Sequence, residues 1–443
     1  MGESLVADRP QEKASVSLES RRTKPRIVII GGGFAGVAAA KALRNCDADV
    51  TVIDRRNHHI FQPLLYQVAT AYLAPSDIAA PIRQLAAKQQ NVSVLLAEVV
   101  GVDTESRSID ADCPGIGIRK IGFDYLVVAT GNQSSYFGHD EFARYAPCLK
   151  TLADAERIRT RILSAYELAE STDDENERLR QMTFVLVGAG PTGVELAASI
   201  AQMSRTTLRS NFRRIDPAQT SIFLLEGGDR VLPSFAKSLS EKGAKRLAKL
   251  GVKIVTGAMV EHIDDQGVIV GGKRVESGTV LWTAGVSPSP IVRMLGVAVD
   301  RGGRACVGPS MNVPNMPGVF VVGDTATLLQ NGRPLPGVAQ VAIQQGRYVG
   351  WLIARELNGC KPPRPFRYFD KGNMAVIGKN FALMESGRIR LAGVTAWFIW
   401  AFIHLMFLPQ LQNRRRVQNQ WIWSYFTAQR SSRLVAEAPR IGH

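Results

Sequence analysis

Ile27-Val28-Ile29-Ile30-Gly31-Gly32-Gly33-Phe34-Ala35-Gly36 is the stretch that decides the fold. Four apolar residues suited to a buried strand run straight into G-x-G-x-x-G, and a helical pattern follows. The first glycine allows a tight strand-to-helix turn. The second leaves room for a pyrophosphate to approach the backbone, and the third lets helix and strand pack closely. Phosphates then rest on the free N–H groups and positive dipole end of the helix. Val50-Thr51-Val52-Ile53 reads as the next strand. It delivers Asp54 about 20 residues on, where a carboxylate accepts hydrogen bonds from a ribose 2′-OH. Gly31, Gly33, Gly36 and Asp54 form the first set of candidate nucleotide-binding residues.

The fingerprint occurs again. Gly188-Ala189-Gly190-Pro191-Thr192-Gly193 follows Phe184-Val185-Leu186-Val187, and the next apolar run, Ser221-Ile222-Phe223-Leu224-Leu225, ends in Glu226. That gap is longer than usual, so the helix or loop between must be extended through 204–220. A carboxylate at Glu226 binds a ribose 2′-OH and repels a 2′-phosphate, which favours NADH over NADPH. Gly188, Gly190, Gly193 and Glu226 are the second set. One copy alone is a weak signal, because a glycine-rich turn in any α/β sheet gives the same pattern. Two copies, each between a buried-type strand and a helix, indicate two dinucleotides in one chain, and electrons passing from one to the other.

Other landmarks fall in order. Tyr125-Leu126-Val127-Val128 reads as a buried strand ending in Ala129-Thr130-Gly131, and Val280-Leu281-Trp282-Thr283-Ala284-Gly285 repeats the theme. Val319-Phe320-Val321-Val322 is a further strand, ending in Gly323-Asp324. The spacing of Ile158, Ile162 and Tyr166 predicts a helix over 154–170; 171–180 is polar enough for a loop or helix end, and 339–347 should be helical.

With 443 residues, 45% apolar and 21% charged, the chain has room for two or three domains with sizeable cores. The net charge of +15 predicts attraction to an anionic surface. No zinc-finger spacing or aromatic RNA-binding motif is present, so nucleic acid is not the expected partner. From 386 to 443 there are eight arginines against one glutamate, and the longest apolar run lies in the same segment. Charge and apolarity together point to a membrane. The five cysteines, Cys46, Cys113, Cys148, Cys306 and Cys360, form no close pair. That argues against a metal site and against a C-x-x-C redox centre, and suits a reducing cytosol. Residues 1–24 lack an apolar stretch of signal-peptide length and read as a disordered tail.

The order of first fingerprint, A-T-G, second fingerprint, T-A-G and G-D resembles the pyridine nucleotide-disulfide oxidoreductase superfamily, two-dinucleotide flavoproteins with one nucleotide domain inserted in the other. A narrower resemblance, running from about Pro25 to about Leu434, is to type II NADH:quinone oxidoreductases. It is carried by the run Phe61-Gln62-Pro63-Leu64-Leu65-Tyr66-Gln67-Val68-Ala69-Thr70, the stretch Asp77-Ile78-Ala79-Ala80-Pro81-Ile82-Arg83, the segment from Leu335 to Gly346, and Asp370-Lys371-Gly372-Asn373-Met374-Ala375-Val376-Ile377-Gly378. The resemblance implies an α/β fold of two Rossmann-like domains: a tail at 1–24, an FAD domain from 25–150 and 280–365, an NADH domain inserted at 151–279, and a C-terminal membrane-docking region at 366–443. It implies tightly but non-covalently bound FAD, NADH as substrate and a membrane quinone as acceptor, without proton pumping. A homodimer, peripheral on the cytoplasmic face of the inner membrane, is expected. Pro63, Thr130, Gly131, Gly285 and Asp324 are expected at the cofactor. Gln340 and Gln344, from the A-Q-x-A-x-Q motif, are expected at the quinone beside the flavin. Glu195 is expected between nicotinamide and flavin, helping proton uptake or positioning. Neutral amides suit quinone carbonyls without a costly buried charge, and a carboxylate can relay the proton that quinone reduction needs. The plainer reading of Glu195 is a carboxylate stabilised by a helix dipole, and of Gln344 a polar helix face. His58 and His59 read as loop or packing residues.

Residues 391–408 contain no Asp, Glu, Lys or Arg, just reaching the length of a spanning helix. Pro409, Arg414-Arg415-Arg416 and a second stretch with Trp421, Trp423 and Tyr425 follow. One spanning helix and a pair of helices lying on the membrane both fit, and the resemblance favours the pair; burial in a dimer interface is a third option. The rivals in function are a sulfide:quinone oxidoreductase, which needs cysteines beside the flavin (Cys148 and Cys360 are the candidates), a soluble ferredoxin or rubredoxin reductase, and a flavin-binding redox sensor or partner protein without turnover.

Overall fold

The computed structural model describes residues 24–435; apart from Lys24, the tail expected over 1–24 lies outside them. Five parallel strands form the first sheet, in the order Val319–Val321, Tyr125–Val128, Arg26–Ile30, Asp49–Asp54 and Val92–Leu96. Three of these, Arg26–Ile30, Tyr125–Val128 and Val319–Val321, are buried almost throughout, which is why they read as near-continuous apolar runs. Strand order reverses at Arg26–Ile30, so a crevice opens between its C-terminal end and that of Tyr125–Val128. Helix α1 (Phe34–Ala42) starts in that crevice. The short helix α2 (Leu65–Ala69) follows, buried on every side.

Four parallel strands make the second sheet: Val252–Thr256, Ser221–Glu226, Thr183–Val187 and Thr279–Trp282. Val187 pairs with Trp282, so the last strand completes this sheet rather than returning to the first. The domain boundary expected between 279 and 280 therefore falls inside a strand. The crossing is made just beyond it, where Val286–Pro288 pairs antiparallel with Asn132–Ser134. Helix α3 (Leu152–Ser171) enters this unit through a capping box of Thr151 and Asp154. The stretch 171–180 carries a helix of its own, α4 (Glu175–Gln181), capped by Asp174 and braced by the Arg180–Glu177 pair at 2.7 Å. Helix α5 (Pro191–Gln202) runs on into a π-type turn, Met203–Thr207, which supplies part of the extra length before Glu226. Helix α6 (Lys237–Lys249) packs behind it.

The chain returns to the first unit in helix α7 (Ala339–Leu357), which is 19 residues long and so outruns the 339–347 expected. It crosses α1 at close range: a Cβ at Gly346 would meet Ala35 O at 2.0 Å, and one at Gly350 would meet Ala39 O at 2.6 Å. Small residues on both helices bring α7 beside the start of α1.

The C-terminal region begins with a three-stranded antiparallel sheet, Asn373–Val376, Ala382–Ser386 and Ile389–Gly393. It ends in helices α8 (Val394–Phe407) and α9 (Leu411–Thr427). The third strand takes the first residues of the long apolar run, leaving α8 with 14. At 1.5 Å per residue that is roughly 21 Å, short of the ~30 Å hydrocarbon layer. Among the described residues no helix is long and apolar enough to cross a membrane, which corrects the spanning alternative. One side of α8 is core: Ala396 and Trp400 join Leu408 and Val417 in the same apolar cluster as Tyr66, Ile200 and Leu383. The other side carries Val394, Phe398, Phe402 and Met406, one per turn, with Phe402 66% exposed.

Candidate active site

Of the three spaced glycines of each G-x-G-x-x-G, two answer to the protein and one answers to empty space. At Gly31 a Cβ would meet Ala129 O at 2.4 Å, and at Gly36 it would meet Gly31 O at 1.8 Å. At Gly188 and Gly193 the collisions are Ala284 N at 2.7 Å and Gly188 O at 1.9 Å. Around Gly33 and Gly190 nothing lies within 4 Å. Both adopt extended backbone open to any residue, with φ −75 and −68, so only an approaching ligand gives a reason for glycine there. These are the N-caps of α1 and α5, where free N–H groups are available to a phosphate. Thr283 Oγ1 braces the second turn, donating at 2.8 Å to Val187 O and Gly188 O.

The acidic residues hold the turns from behind. Asp54 accepts from the N–H of Gly32 at 2.7 Å and of Arg56 at 2.8 Å. Glu226 accepts from Ala189 at 2.7 Å and Gly228 at 2.9 Å. Each carboxylate oxygen thereby uses one lone pair and keeps another for a ribose hydroxyl.

Beside the first cradle lies a row of polar atoms with no protein partner: Thr130 Oγ1, Asn132 Oδ1 and Gln340 Oε1. Buried polar atoms need partners, and a flavin dinucleotide with its ribityl hydroxyls and pyrophosphate supplies them. Asp324 sits in the same region; burial pushes its carboxyl above the ordinary carboxylate range, opposed by Lys150 and Arg304. Lys150 is itself pushed down by burial. The residues present fit FAD. Gly131 lies at φ +66, beyond Thr130. Pro63 opens the 3-10 turn Gln62–Leu64 that leads into α2, and the adjoining Phe61 ring packs edge-on against Phe34 at the start of α1. Gly285 answers to packing: its Cβ would strike Ser135 O and the Phe137 ring at 2.6 Å, where the chain crosses between units. His59 is buried with Nδ1 3.1 Å from Gly32 O, and His58 bonds Asn57.

On α7 the glutamines have different engagements. The Gln344 amide is used at both ends by Phe369, donating to its carbonyl at 2.9 Å and accepting from its N–H at 3.0 Å. Gln340 donates to Gly372 O at 3.0 Å and keeps its oxygen unpaired. Gln345, not singled out from sequence, is buried and accepts from Gly323 N–H at 2.7 Å, fixing the turn that presents Asp324. Its signal was only its place one residue past the motif.

Glu195 stands on α5, one turn past the phosphate cradle. It is half-buried and its Oε1 accepts from Val376 N–H at 3.2 Å. Burial pushes its carboxyl up to about 8, outweighing that hydrogen bond. It therefore holds a proton at neutral pH, whereas stabilisation by a helix dipole requires the ionised form. Its cavity, about 60 Å³, is lined from the first unit by Tyr66, Gln67 and Tyr72 and from the C-terminal region by Trp397, Trp400, Trp421 and Arg430. That space suits a few waters rather than a quinone ring. Gln67 ties the wall together, donating to Tyr66 Oη at 2.9 Å and accepting from Trp421 Nε1 at 2.8 Å. None of Tyr66, Gln67, Trp421 or Arg430 carries a local signal of this role, because the pocket joins segments about 350 residues apart.

Of the two cysteines that a sulfide-oxidising site would need, one lies far from the glutamine at the start of α7. Cys148 bridges the backbone of Trp282. Cys360 is exposed beyond the end of α7, a 19-residue helix that carries Gln340 at its start, so roughly 28 Å separates Cys360 from Gln340.

The pyridine nucleotide-disulphide oxidoreductase family matches residues 25–346. A Type II NADH:quinone oxidoreductase, Ndh, of Mycobacterium tuberculosis (strain ATCC 25618 / H37Rv) is 40% identical over 439 residues, covering 97% of this chain and 93% of the relative. The NdhA protein of the same organism, also described as a Type II NADH:quinone oxidoreductase, is 41% identical over 423 residues, covering 93% and 89%. Among solved structures, NDH2 from Plasmodium falciparum superposes with a TM-score of 0.84 at 20% identity, over 94% of this chain and 100% of that one, a likeness of fold.

Proposed function

The chain belongs to the pyridine nucleotide-disulphide oxidoreductase family and, within it, to the type II NADH:quinone oxidoreductases, and from that membership we propose how its own residues run the reaction. The protein transfers electrons from NADH through FAD to a quinone. FAD, when bound, supplies the chemistry that accepts a hydride and releases electrons onward. The α1 N-terminus at Gly33 takes its pyrophosphate and Asp54 its ribose, while Thr130, Asn132 and Asp324 pair with its remaining polar groups. NADH is held by Gly190 and the α5 N-terminus, with Glu226 on its ribose; a carboxylate there disfavours a 2′-phosphate. Gln340 serves the quinone end through its unpaired amide oxygen, and Gln344 through the segment it holds at Phe369. Glu195, protonated at neutral pH, releases a proton that the few waters its cavity can hold pass on toward the quinone.

The outward stripe of α8 and the arginines of α9 dock the protein on an anionic membrane as a monotopic partner, on the cytoplasmic face of the inner membrane. Pairing of two copies, and electron transfer without proton pumping, complete this reading. The observation that carries the proposal is the pair of open glycines, Gly33 and Gly190, each at the C-terminal edge of its own parallel sheet.

The test is NADH oxidation by the FAD-loaded protein with a short-chain ubiquinone, beside NADPH and sulfide as donors. Fast NADH-dependent quinone reduction, falling at least about tenfold in Gln340→Ala with FAD still bound, supports the assignment. Turnover driven by sulfide and silent with NADH overturns it.

A further inference from the structure

An exposed aromatic ring stands on left-handed backbone where the chain crosses between the two units. Phe137 is 64% exposed, and its φ is +55. A bulky residue adopts that conformation rarely and at a cost. Burial does not offset the strain, because most of the ring is in solvent. The ring is nonetheless fixed. A Cβ at Gly285 would meet its Cζ at 2.6 Å and its Cε2 at 2.9 Å, and the Trp282 ring lies 6.2 Å away, centre to centre. The Phe137 N–H donates to Ser135 Oγ at 3.3 Å, and the Ser135 carbonyl accepts from Trp282 Nε1 at 2.9 Å. A strained, exposed and well-braced aromatic side chain is placed for something that comes to it.

The second cradle says what comes. A dinucleotide lies across the crevice where strand order reverses, its two nucleosides running opposite ways from the pyrophosphate. In the second sheet that crevice opens beyond Thr183–Val187, at the Gly190 cradle. Glu226 ends the neighbouring strand on one side, so the ribose it takes lies to that side. The other nucleoside runs the opposite way, over the C-terminal end of Thr279–Trp282, which is Thr283-Ala284-Gly285. Contacts carry this path unbroken from cradle to ring. A Cβ at Gly188 would meet Ala284 N at 2.7 Å and its Cα at 2.8 Å, and the next residue, Gly285, lies against the Phe137 ring. The FAD cleft is on the same side: Thr130 and Asn132, with their unpartnered oxygens, lie on the segment that leads into Phe137. The nucleoside that faces a flavin is the nicotinamide one.

We propose that Phe137 binds the nicotinamide end of NADH, its ring forming a wall on which the flat nicotinamide stacks. The inference rests on Gly190 and Glu226 holding NADH. Stacking on an aromatic face fixes the plane of a ring without using its polar groups, which are left for other partners. Gly285 has no side chain to keep the Phe137 ring off the edge of the cleft.

The test uses the FAD-loaded protein and two probes, NAD+ and ADP-ribose, which lacks the nicotinamide. Ligand-observed NMR titration reads their binding without turnover. Phe137→Ala should weaken NAD+ about tenfold and leave ADP-ribose unchanged. In quinone reduction it should raise the KM for NADH by a similar factor, with the KM for quinone unmoved. Phe137→Tyr, which keeps the flat ring, should bind NAD+ as the wild type does; Phe137→Leu, apolar but not flat, should not. Phe137→Gly relieves the backbone, so its thermal midpoint should stay within about 2 °C of the wild type's while NAD+ binding weakens. NAD+ affinity unchanged in Phe137→Ala but lost in Gly190→Ala overturns the role of Phe137 alone. Equal weakening of NAD+ and ADP-ribose in Phe137→Ala overturns it too, since the nicotinamide would not be what the ring meets. A midpoint lowered by about 5 °C or more in Phe137→Gly makes the ring a packing residue and has the same consequence. NAD+ affinity undiminished in Gly190→Ala overturns the cradle reading beneath it.

Discussion

Glycine does two jobs in the cradles, and they separate by mutation. Gly33 has extended backbone and open space at its Cβ, so Gly33→Ala leaves the fold intact while filling the place a pyrophosphate needs. Gly36 has Gly31 O only 1.8 Å from where a Cβ would sit, so Gly36→Ala must push strand and helix apart. Bound FAD should be lost in both. The apoprotein's unfolding free energy should change by less than about 0.5 kcal/mol in Gly33→Ala and by about 2 kcal/mol or more in Gly36→Ala, as read by chemical denaturation. Glu195 makes a second prediction at this scale. The folded protein holds its proton up to about pH 8, and the unfolded chain releases it near 4.5. Between those values the folded state binds more protons, so this contribution is complete below 4.5 and fades as pH rises to 8. Glu195→Gln should match the wild type at pH 4.5 and be more stable at pH 8.5, by a few kcal/mol. Equal denaturation curves at pH 8.5 would show a carboxyl that is not buried.

Helix α8 is apolar all round, and the two sides have different partners. Ala396 and Trp400 face the protein, while Phe398 and Phe402 face outward at four-residue spacing. A soluble surface has no use for such a stripe, and a lipid boundary does. Phe398→Glu/Phe402→Glu should abolish co-flotation with anionic vesicles while NADH still bleaches the bound FAD. Vesicle binding equal to that of the wild type would place the docking surface elsewhere. Helices α1 and α7 make the opposite use of small residues: Gly346 and Gly350 let backbones touch, and that approach brings Gln345 to Gly323.

Across the whole molecule, the C-terminal region is not an appendage. Trp400, Leu408 and Val417 belong to the core of the second unit, and Asn413 donates to the carbonyls of Ser76, Asp77 and Ala79 from 3.2 down to 2.8 Å. His404, pushed down to about 4 by burial, stacks neutral on Trp400. A spanning anchor can be cut away from the domain it tethers; this region cannot. Deleting 394–435 should lower the thermal midpoint by well over 10 °C, since losing Trp400 alone costs about 3–5 kcal/mol. A soluble, FAD-loaded truncation with an unchanged midpoint would show that the helices only tether.

The amino-acid sequence by itself determined both cradles. Strand, turn and helix start are local, and Gly31 through Gly36 write the pyrophosphate geometry into six consecutive residues. Asp54 and Glu226 follow from the same local logic, one strand further on. The short helix α4 was harder to read because its support is surface pairing rather than an apolar stripe. The strand Thr279–Trp282 reads as a strand from sequence, but its sheet is decided by pairing with Thr183–Val187, nearly a hundred residues away. The Glu195 cavity was decided by the tertiary structure alone. A carboxyl has its pKa raised by what surrounds it, and here α2, α5, the strand Asn373–Val376 and the tail at Arg430 come together only when the chain is folded. The same holds for α8: its apolar run is plain in sequence, but which side meets protein and which is left exposed depends on what packs against it.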